Sequence, residues 1–365
     1  MAGSSFGTVF RVTTWGESHG PGLGAVLDGV PAGLPLTEEM IQRQLDRRRP
    51  GQSRYATKRK ESDQVHILSG VFEGRTTGTS LSLAIWNEDQ HSRDYANVQD
   101  TYRPGHADFT YDQKYGFRDY RGGGRSSGRE TAARVAAGAV AEEILKSIGV
   151  QVTAYTRSIG PVESPVTDLA EAQNNPLCMP DAKAAAEAAA FLETRMAERD
   201  SAGGVIECVV TGLPTGIGDP VFEKLDARLG KAIFSIGAVK GVEIGDGFAV
   251  SSSRGSADND GFRPEGSAIV PSSNHAGGIL GGISDAAPII LRAAIKPTPS
   301  IFQPQATVHR DGTPTELVLR GRHDPVIVPR AVVVVESMTA ITLVDSLFLN
   351  MSARMDRFEA FYHQN

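Results

Sequence analysis

The sequence predicts an α+β domain, on three observations. Short β-rich pieces follow one another with little between them: GVIECVVTGL (204–213), GVEIG (241–245), PIILRAAI (288–295), TVHRDG (307–312) and ELVLRGR (316–322). Closely spaced strands of this kind pair antiparallel rather than through βαβ crossovers. Interspersed with them are segments of helical period with readable ends. Glycine, at 40 of 365 residues, comes in runs at 122–124, 203–204, 277–278 and 281–282, which mark tight turns or a close approach of backbone to something else.

The elements can be justified in order. In LTEEMIQRQLDRRRPG (36–51), Thr37 is placed to cap a helix, Leu36 and Ile41 to staple it, and Pro50-Gly51 to stop it. In SGRETAARVAAGAVAEEILKSIG (127–149), Val135, Val140, Ile144 and Ile148 form a helical stripe that Gly149 ends, and the alanines around Gly138 permit very close packing. The alanine-rich stretch 182–190 reads as a helix capped by Asp181. Residues 245–275 are polar and glycine-rich and read as a long mobile loop; segments 43–60 and 87–128 are expected to be mobile loops of the active site as well. The most apolar window, 326–349, is interrupted by Pro329, Arg330, Glu336 and Asp345. It predicts a strand turning into a buried helix, not a membrane span. With no repeat and no long linker, residues 1–365 are expected to form a single domain, and 40% hydrophobic residues suffice for a sizeable core.

Charge narrows the function. The chain has 37 Lys+Arg against 43 Asp+Glu, a net charge of −6, which argues against binding nucleic acid or an anionic membrane. Cys178 and Cys208 offer no disulfide framework, and the first twenty residues hold no apolar core of signal-peptide length, so a reducing cytoplasm is expected. Yet the basic residues are concentrated. Segment 43–60 holds eight Lys/Arg and one acid, Asp46. A solvated helix end explains part of it, but the run continues past Pro50, with Arg48 and Arg54 on either side. Segment 103–134 holds seven more, around GGGRSSGRET. There a helix N-terminus offers free N–H groups to an anion, with Arg125, Ser126 and Ser127 beside it; a plain serine cap is the competing reading.

His19, in WGESHGPGLG, and His106, in RPGHADF, sit in Gly/Pro turns that fix their positions, a setting suited to acid–base work. No histidine pair has metal-ligand spacing, so no metal site is expected. KPTPS (296–300) is a proline-stiffened loop, and in RGRHDP (320–325) Asp324 is held extended by Pro325. Arginines in rigid loops, interleaved with acid–base groups, suit a small, multiply anionic ligand.

These motifs resemble those of the chorismate synthase family, in the right order over nearly the whole chain: GESHGPGLGAVLDGVPAGLPL, RRRPGQSR, RPGHADFTYDQKYGFRDYRGGGRSSGRET, DSAGGVIE, GAVKGVEIGDGF, SNHAGGILGGIS, KPTPS and RGRHDP. The resemblance implies a β-α-β sandwich with helices between antiparallel sheets, a homotetramer, and elimination of phosphate from 5-enolpyruvylshikimate 3-phosphate to give chorismate. It implies reduced FMN as a transient electron donor with no net redox change, supplied by an external source of reduced flavin. It implies catalytic roles for His19, His106 and Asp324. FMN contacts would fall to Arg125, Ser126, Ser127, Gly237, Ala238, Gly281, Lys296, Pro297, Thr298, Pro299, Ser300 and Arg322. Arg48, Arg54, Arg103, Arg129 and Arg134 would surround the phosphates of substrate and cofactor. One departure is Gly237, where relatives often have Asn. Two rival readings are weaker. An NADPH-dependent flavin reductase lacks its GxGxxG after a strand. A single-stranded RNA module stacking bases on Tyr102, Tyr111, Tyr115, Phe117 and Tyr120 is opposed by the acidic total.

Overall fold

A computed structural model describes residues 3–56, 61–88, 98–319 and 324–363. Two five-stranded antiparallel sheets organise it, as an α+β chain requires. The first contains β1 (Ser5–Phe6), β2 (Arg11–Gly16), β3 (Gly22–Asp28), β4 (Val65–Ser69) and β5 (Leu81–Trp86), in the order β1-β2-β3-β5-β4. The second contains β6 (Gln151–Ile159), β7 (Val162–Glu163), β8 (Gly204–Thr211), β9 (Val239–Ile244) and β10 (Ile289–Ile295), in the order β9-β10-β8-β6-β7.

Period-two alternation points one face of each sheet at helices. In the first sheet Leu23, Ala25 and Leu27 pair with Ile85, Leu83 and Leu81, all buried. Helix α1 (Glu38–Arg48) packs on β4, and α3 (Thr131–Ser147) lies on β3 and β5. In the second sheet Ile206, Cys208 and Val210 lie beside Ala293, Leu291 and Ile289, all fully buried. That face meets the long helix Val328–Asn350, called α6 here in chain order after α2 (Asp108–Tyr115), α4 (Ala182–Ala197) and α5 (Leu225–Phe234).

Among the described helices, α3 and α6 make the most extensive mutual contact. A Cβ at Gly138 would lie 2.2 Å from Ser337 Cβ and 2.6 Å from Ser337 Cα, so glycine is required for the two backbones to approach this far. Helix α6 is apolar enough to cross a membrane by length and composition, but 83% of its apolar window is buried inside the molecule. Three of its four hydroxyls are satisfied within the helix: Ser337 donates to Val333 O, Thr342 to Met338 O and Ser346 to Thr342 O. Asp345, fully buried, accepts from the backbone N–H groups of Thr8, Val9 and Phe10 and from Arg228 on α5, which ties the N-terminal strands to the helix layer.

Several expectations change. Among the described residues, 324–327 form no strand leading into α6; Val326 makes a single parallel bridge to Ala202, because Pro329 in the first turn favours an early helix start. The helix capped by Asp181 extends to Ala197, with Asp181 accepting from Ala184 N at 2.7 Å. Ile148 leaves the apolar stripe and is exposed, since α3 ends at Ser147. Residues 245–275 are structured, with a 3-10 turn (Gly247–Ser252), a short helix (Gly255–Asp258) and a hairpin (Phe262–Glu265 with Ala268–Pro271). Parts of segments 43–60 and 87–128 lie outside the described residues.

The Gly138 contact is testable. Gly138→Ala should destabilise the protein by about 1–3 kcal/mol through overpacking, read as a lower denaturant midpoint with an unchanged slope. An unchanged midpoint would show that Ser337 has room to move.

Candidate active site

Three helix ends converge on one point. Arg48 is the last residue of α1, Arg129 lies two residues before α3, and Arg330 is in the first turn of α6. Asp63, with no exposure to solvent, sits between the first two: Arg48 Nη1 donates to Asp63 Oδ2 at 3.0 Å, and Arg129 Nη1 donates to Asp63 Oδ1. Arg48 also donates to Thr131 Oγ1 at 3.1 Å and to Gly128 O, and Arg129 Nη2 lies 3.6 Å from Glu61. Arg330 donates to Arg48 O at 3.2 Å and makes a two-pronged pair with Asp324 at 3.1 and 2.9 Å. Burial works against the charge on Arg48 and pushes its pKa down to about 10, with Asp63 opposing; it stays cationic near neutrality. Burial alone would raise the pKa of Asp63, but Arg48 and Arg129 outweigh it and hold the carboxyl below its ordinary value.

The two histidines lie in a second cluster. His106 Nδ1 is 3.0 Å from Pro104 O, and Nε2 is 2.9 Å from Ser300 Oγ. A carbonyl only accepts, so the neutral ring carries its hydrogen on Nδ1 and turns Nε2 to Ser300. Lys296 Nζ donates to Gly105 O at 2.9 Å, and Lys296 N donates to Ala238 O at 2.9 Å, so the 296–300 and 237–238 turns and the His106 turn are one assembly. Arg103 forks onto Asp108 at 2.8 and 2.7 Å and donates to Gly122 O at 3.1 Å. His19 packs on Gly122, where a Cβ would lie 2.5 Å from its ring and φ is +107°. Ser18 Oγ is 3.1 Å from His19 Nδ1.

The clusters are bridged. Ser201 Oγ donates to Thr298 O at 2.7 Å while Ala202 N donates to Pro325 O at 2.9 Å, joining the 296–300 loop to the Asp324 segment. Beside His19 and His106 opens a cavity of about 1030 Å³, whose lining includes Glu17, Ala107, Gly122, Arg125, Ser126 and Arg134, with Phe6, Val12, Met338 and Ile341 as its apolar part.

Other expected residues are placed differently. Arg125 spends its guanidinium on Gly16 O and on Thr14 O and Oγ1, bracing β2. Ser127 caps the turn before α3 by accepting from Arg129 N at 3.2 Å, which is the plain-cap reading, and Ser126 donates to Gly123 O. Arg134 pairs with Glu130 at 2.7 Å and donates to Ser235 Oγ at 2.7 Å, drawing the 235–238 turn to the cavity. Gly237 and Gly281 are exposed, with open space where a side chain would stand. Pro299 packs against Gly105. Arg54 is not brought in: its side chain is 67% exposed and pairs with Glu193 on α4. Arg322 lies outside the described residues. Sequence reasoning missed Asp63, Glu61, Asp108 and Arg330. Arg330 had a signal, as a lone cation opening an apolar helix beside Asp324; Asp63 in ESDQ had none.

Asp63 makes a prediction. Its lowered pKa means that its stabilising contribution is complete above the ordinary carboxylate value near 3.8 and is lost as pH falls below it. Asp63→Asn should cost about 3–5 kcal/mol at neutral pH by leaving two buried arginines under-compensated, and the loss should shrink as the pH falls below that value. A pH-independent difference in unfolding midpoint would contradict the assignment.

Comparison with known proteins identifies the family. The family model described as chorismate synthase matches residues 10–348. The chorismate synthases of Lachnospira eligens and Agathobacter rectalis are each 60% identical, over 100% and 99% of both chains respectively. A crystal structure of a chorismate synthase superposes with a TM-score of 0.77 at 33% identity, covering 98% of each chain. Matched along its whole length, and with its motifs gathered around the two histidines and the arginine cluster, the chain belongs to the chorismate synthase family.

Proposed function

We propose that this chain removes phosphate from 5-enolpyruvylshikimate 3-phosphate to form chorismate in the presence of reduced FMN, at the site built by the two clusters. One observation carries the residue-level reading: His106 is fixed from both ring nitrogens, beside a cluster where three helix ends meet. The substrate brings two carboxylates and a phosphate, and the positive ends of α3 and α6 add to Arg48, Arg129 and Arg330 in attracting them.

The cavity fits the cofactor. Its apolar wall of Phe6, Val12, Met338 and Ile341 suits a flat ring system, and Lys231 in the lining supplies a cation for a phosphate tail, whereas Arg125, Ser126 and Arg134 are already bonded to the protein and shape the wall. Thr298 Oγ1 is buried without a hydrogen-bond partner, a donor left for a ligand in the 296–300 loop. When bound, reduced FMN supplies an electron transiently, without net redox change. The remaining work falls to the protein. Protonated His106 delivers Nε2–H to the departing phosphate oxygen once Ser300 yields its place. His19, oriented by Ser18 and seated on Gly122, and Asp324, held by Arg330, manage protons next to the ring system. Arg48, Arg129 and Arg330 orient the anionic groups of the substrate.

We further infer a β-α-β sandwich, supported by α3 lying on the first sheet and α6 on the second. A homotetramer is supported by the C-terminal helix α7 (Met355–Tyr362), which leaves Met355, Phe358, Phe361 and Tyr362 exposed. The two cysteines, neither in a disulfide, are consistent with a cytoplasmic location.

Anaerobic incubation with the phosphate ester and reduced FMN should yield chorismate and equimolar phosphate. NADPH consumption with FMN alone, and no chorismate, would favour the flavin reductase. His106→Ala should lower kcat by about 10²-fold or more with FMN still bound; turnover at the wild-type rate would remove His106 from the mechanism.

A further inference from the structure

Asn87, the residue after β5, is bonded through its backbone N–H and through both ends of its side-chain amide. Its backbone N–H donates to Pro21 O at 3.0 Å, and its Nδ2 donates to Glu17 O at 3.0 Å and to Gly20 O at 2.7 Å. Its Oδ1 accepts from Arg129 Nε at 2.9 Å. The first three bonds hold the turn that carries Ser18 and His19. The fourth reaches the arginine that shares Asp63 with Arg48.

Only a carboxamide satisfies this arrangement. Two carbonyls require donors, and a guanidinium requires an acceptor, about 3 Å from one side-chain terminus. A carboxylate would keep Arg129 and set its other oxygen against the carbonyls of Glu17 and Gly20. The location adds a constraint: β3 and β5 end their pairing at Gly22 and Trp86, so the 17–21 turn begins where the ladder stops and has Asn87 as its brace. The turn's own backbone bond, Gly20 N to Glu17 O, is long at 3.3 Å.

We infer that Asn87 is a positioning residue for the reaction, coupling the His19 turn to the Arg48–Asp63–Arg129 cluster so that the proton-handling and anion-binding halves of the site keep a fixed separation. The inference rests on the function proposed above for His19 and Arg129. Asn87 touches neither substrate nor cofactor in this account; it acts through the two groups it holds.

The test compares Asn87→Asp with Asn87→Ala in the full-length protein. Asn87→Asp keeps the Arg129 bond and loses the turn, so kcat should fall about 10-fold or more while KM for the phosphate ester stays within about 2-fold. Asn87→Ala loses both and should raise KM as well. Hydrogen exchange, which needs no turnover, should speed up about 10-fold in the 17–22 peptide of Asn87→Asp and not in the helix-layer peptides of α3 and α6. In a His19→Ala background, Asn87→Asp should cost little further in kcat, because the two act on one step. Wild-type kcat and exchange in Asn87→Asp would overturn the inference. So would exchange rising evenly over the whole molecule, or full additivity with His19→Ala, since either means that the residue only stabilises the fold. If Asn87→Asp does not fold, Asn87→Ser, which adds no charge, gives the same kcat and exchange readings. Wild-type protein inactive on the phosphate ester would instead sink the proposed function, and the exchange result would still report on the brace.

Discussion

The contact of Gly138 with Ser337 sets the spacing on which the rest of the molecule depends. Helices α3 and α6 stand back to back there, each carrying one of the two sheets on its other side. Their axes can approach only because position 138 has no side chain. The consequence for function lies at their ends. Arg129 precedes one helix and Arg330 opens the other, and the separation of the two helices fixes the separation of the two guanidinium groups. Helix α1, packed against both α3 and α6, brings Arg48 to the same place. On the function proposed above, an anion site assembled on three helices inherits the rigidity of the layer that holds them.

How far the sequence revealed this can be argued from particular residues. Thr37, Asp181 and Pro50 marked helix ends because capping and chain-breaking are local physics, and these ends stand where they were expected. The second sheet was visible in short, largely apolar runs such as PIILRAAI. The first was not: in RVTTWG and GLGAVLD, glycine and threonine dilute the alternation, and their burial comes from α3, which is distant in sequence. Helix α5 escaped for a similar reason, since LDARLGKAIF has neither a side-chain cap nor a long stripe. His19 and His106 stood out because Gly/Pro turns are legible. Asp63 and Asn87 matter through partners 15 to 70 residues away in the chain, and no window of sequence displays that.

The placement of arginines separates two kinds of legibility. A run of basic residues announced a function for 43–60 as a block, but the fold divides the block. Arg48 turns inward to Asp63, whereas Arg54, six residues on, lies on the surface against Glu193. The end of α1 and a proline separate these outcomes. Charge composition locates an anion site only to within a segment; burial assigns the individual residue.

The resting site also shows why so much arginine is tolerable in a buried place. Arg48, Arg129 and Arg330 face Asp63, Glu61 and Asp324, three cations against three carboxylates. Without that balance, three desolvated guanidinium groups would repel one another and destabilise the helix ends that present them. With it, the cluster is nearly neutral as a whole and keeps its donors oriented before any ligand arrives. An incoming phosphate or carboxylate then finds its partners already fixed. The cost is that ligand oxygens compete with protein carboxylates for the same N–H groups. Asp324 is the most accessible of the three carboxylates, and it is the one held by an arginine at the rim instead of by two in the interior. Exchange with Arg330 would therefore cost least, so on the function proposed above Asp324 is the adjustable carboxylate and Asp63 the fixed foundation.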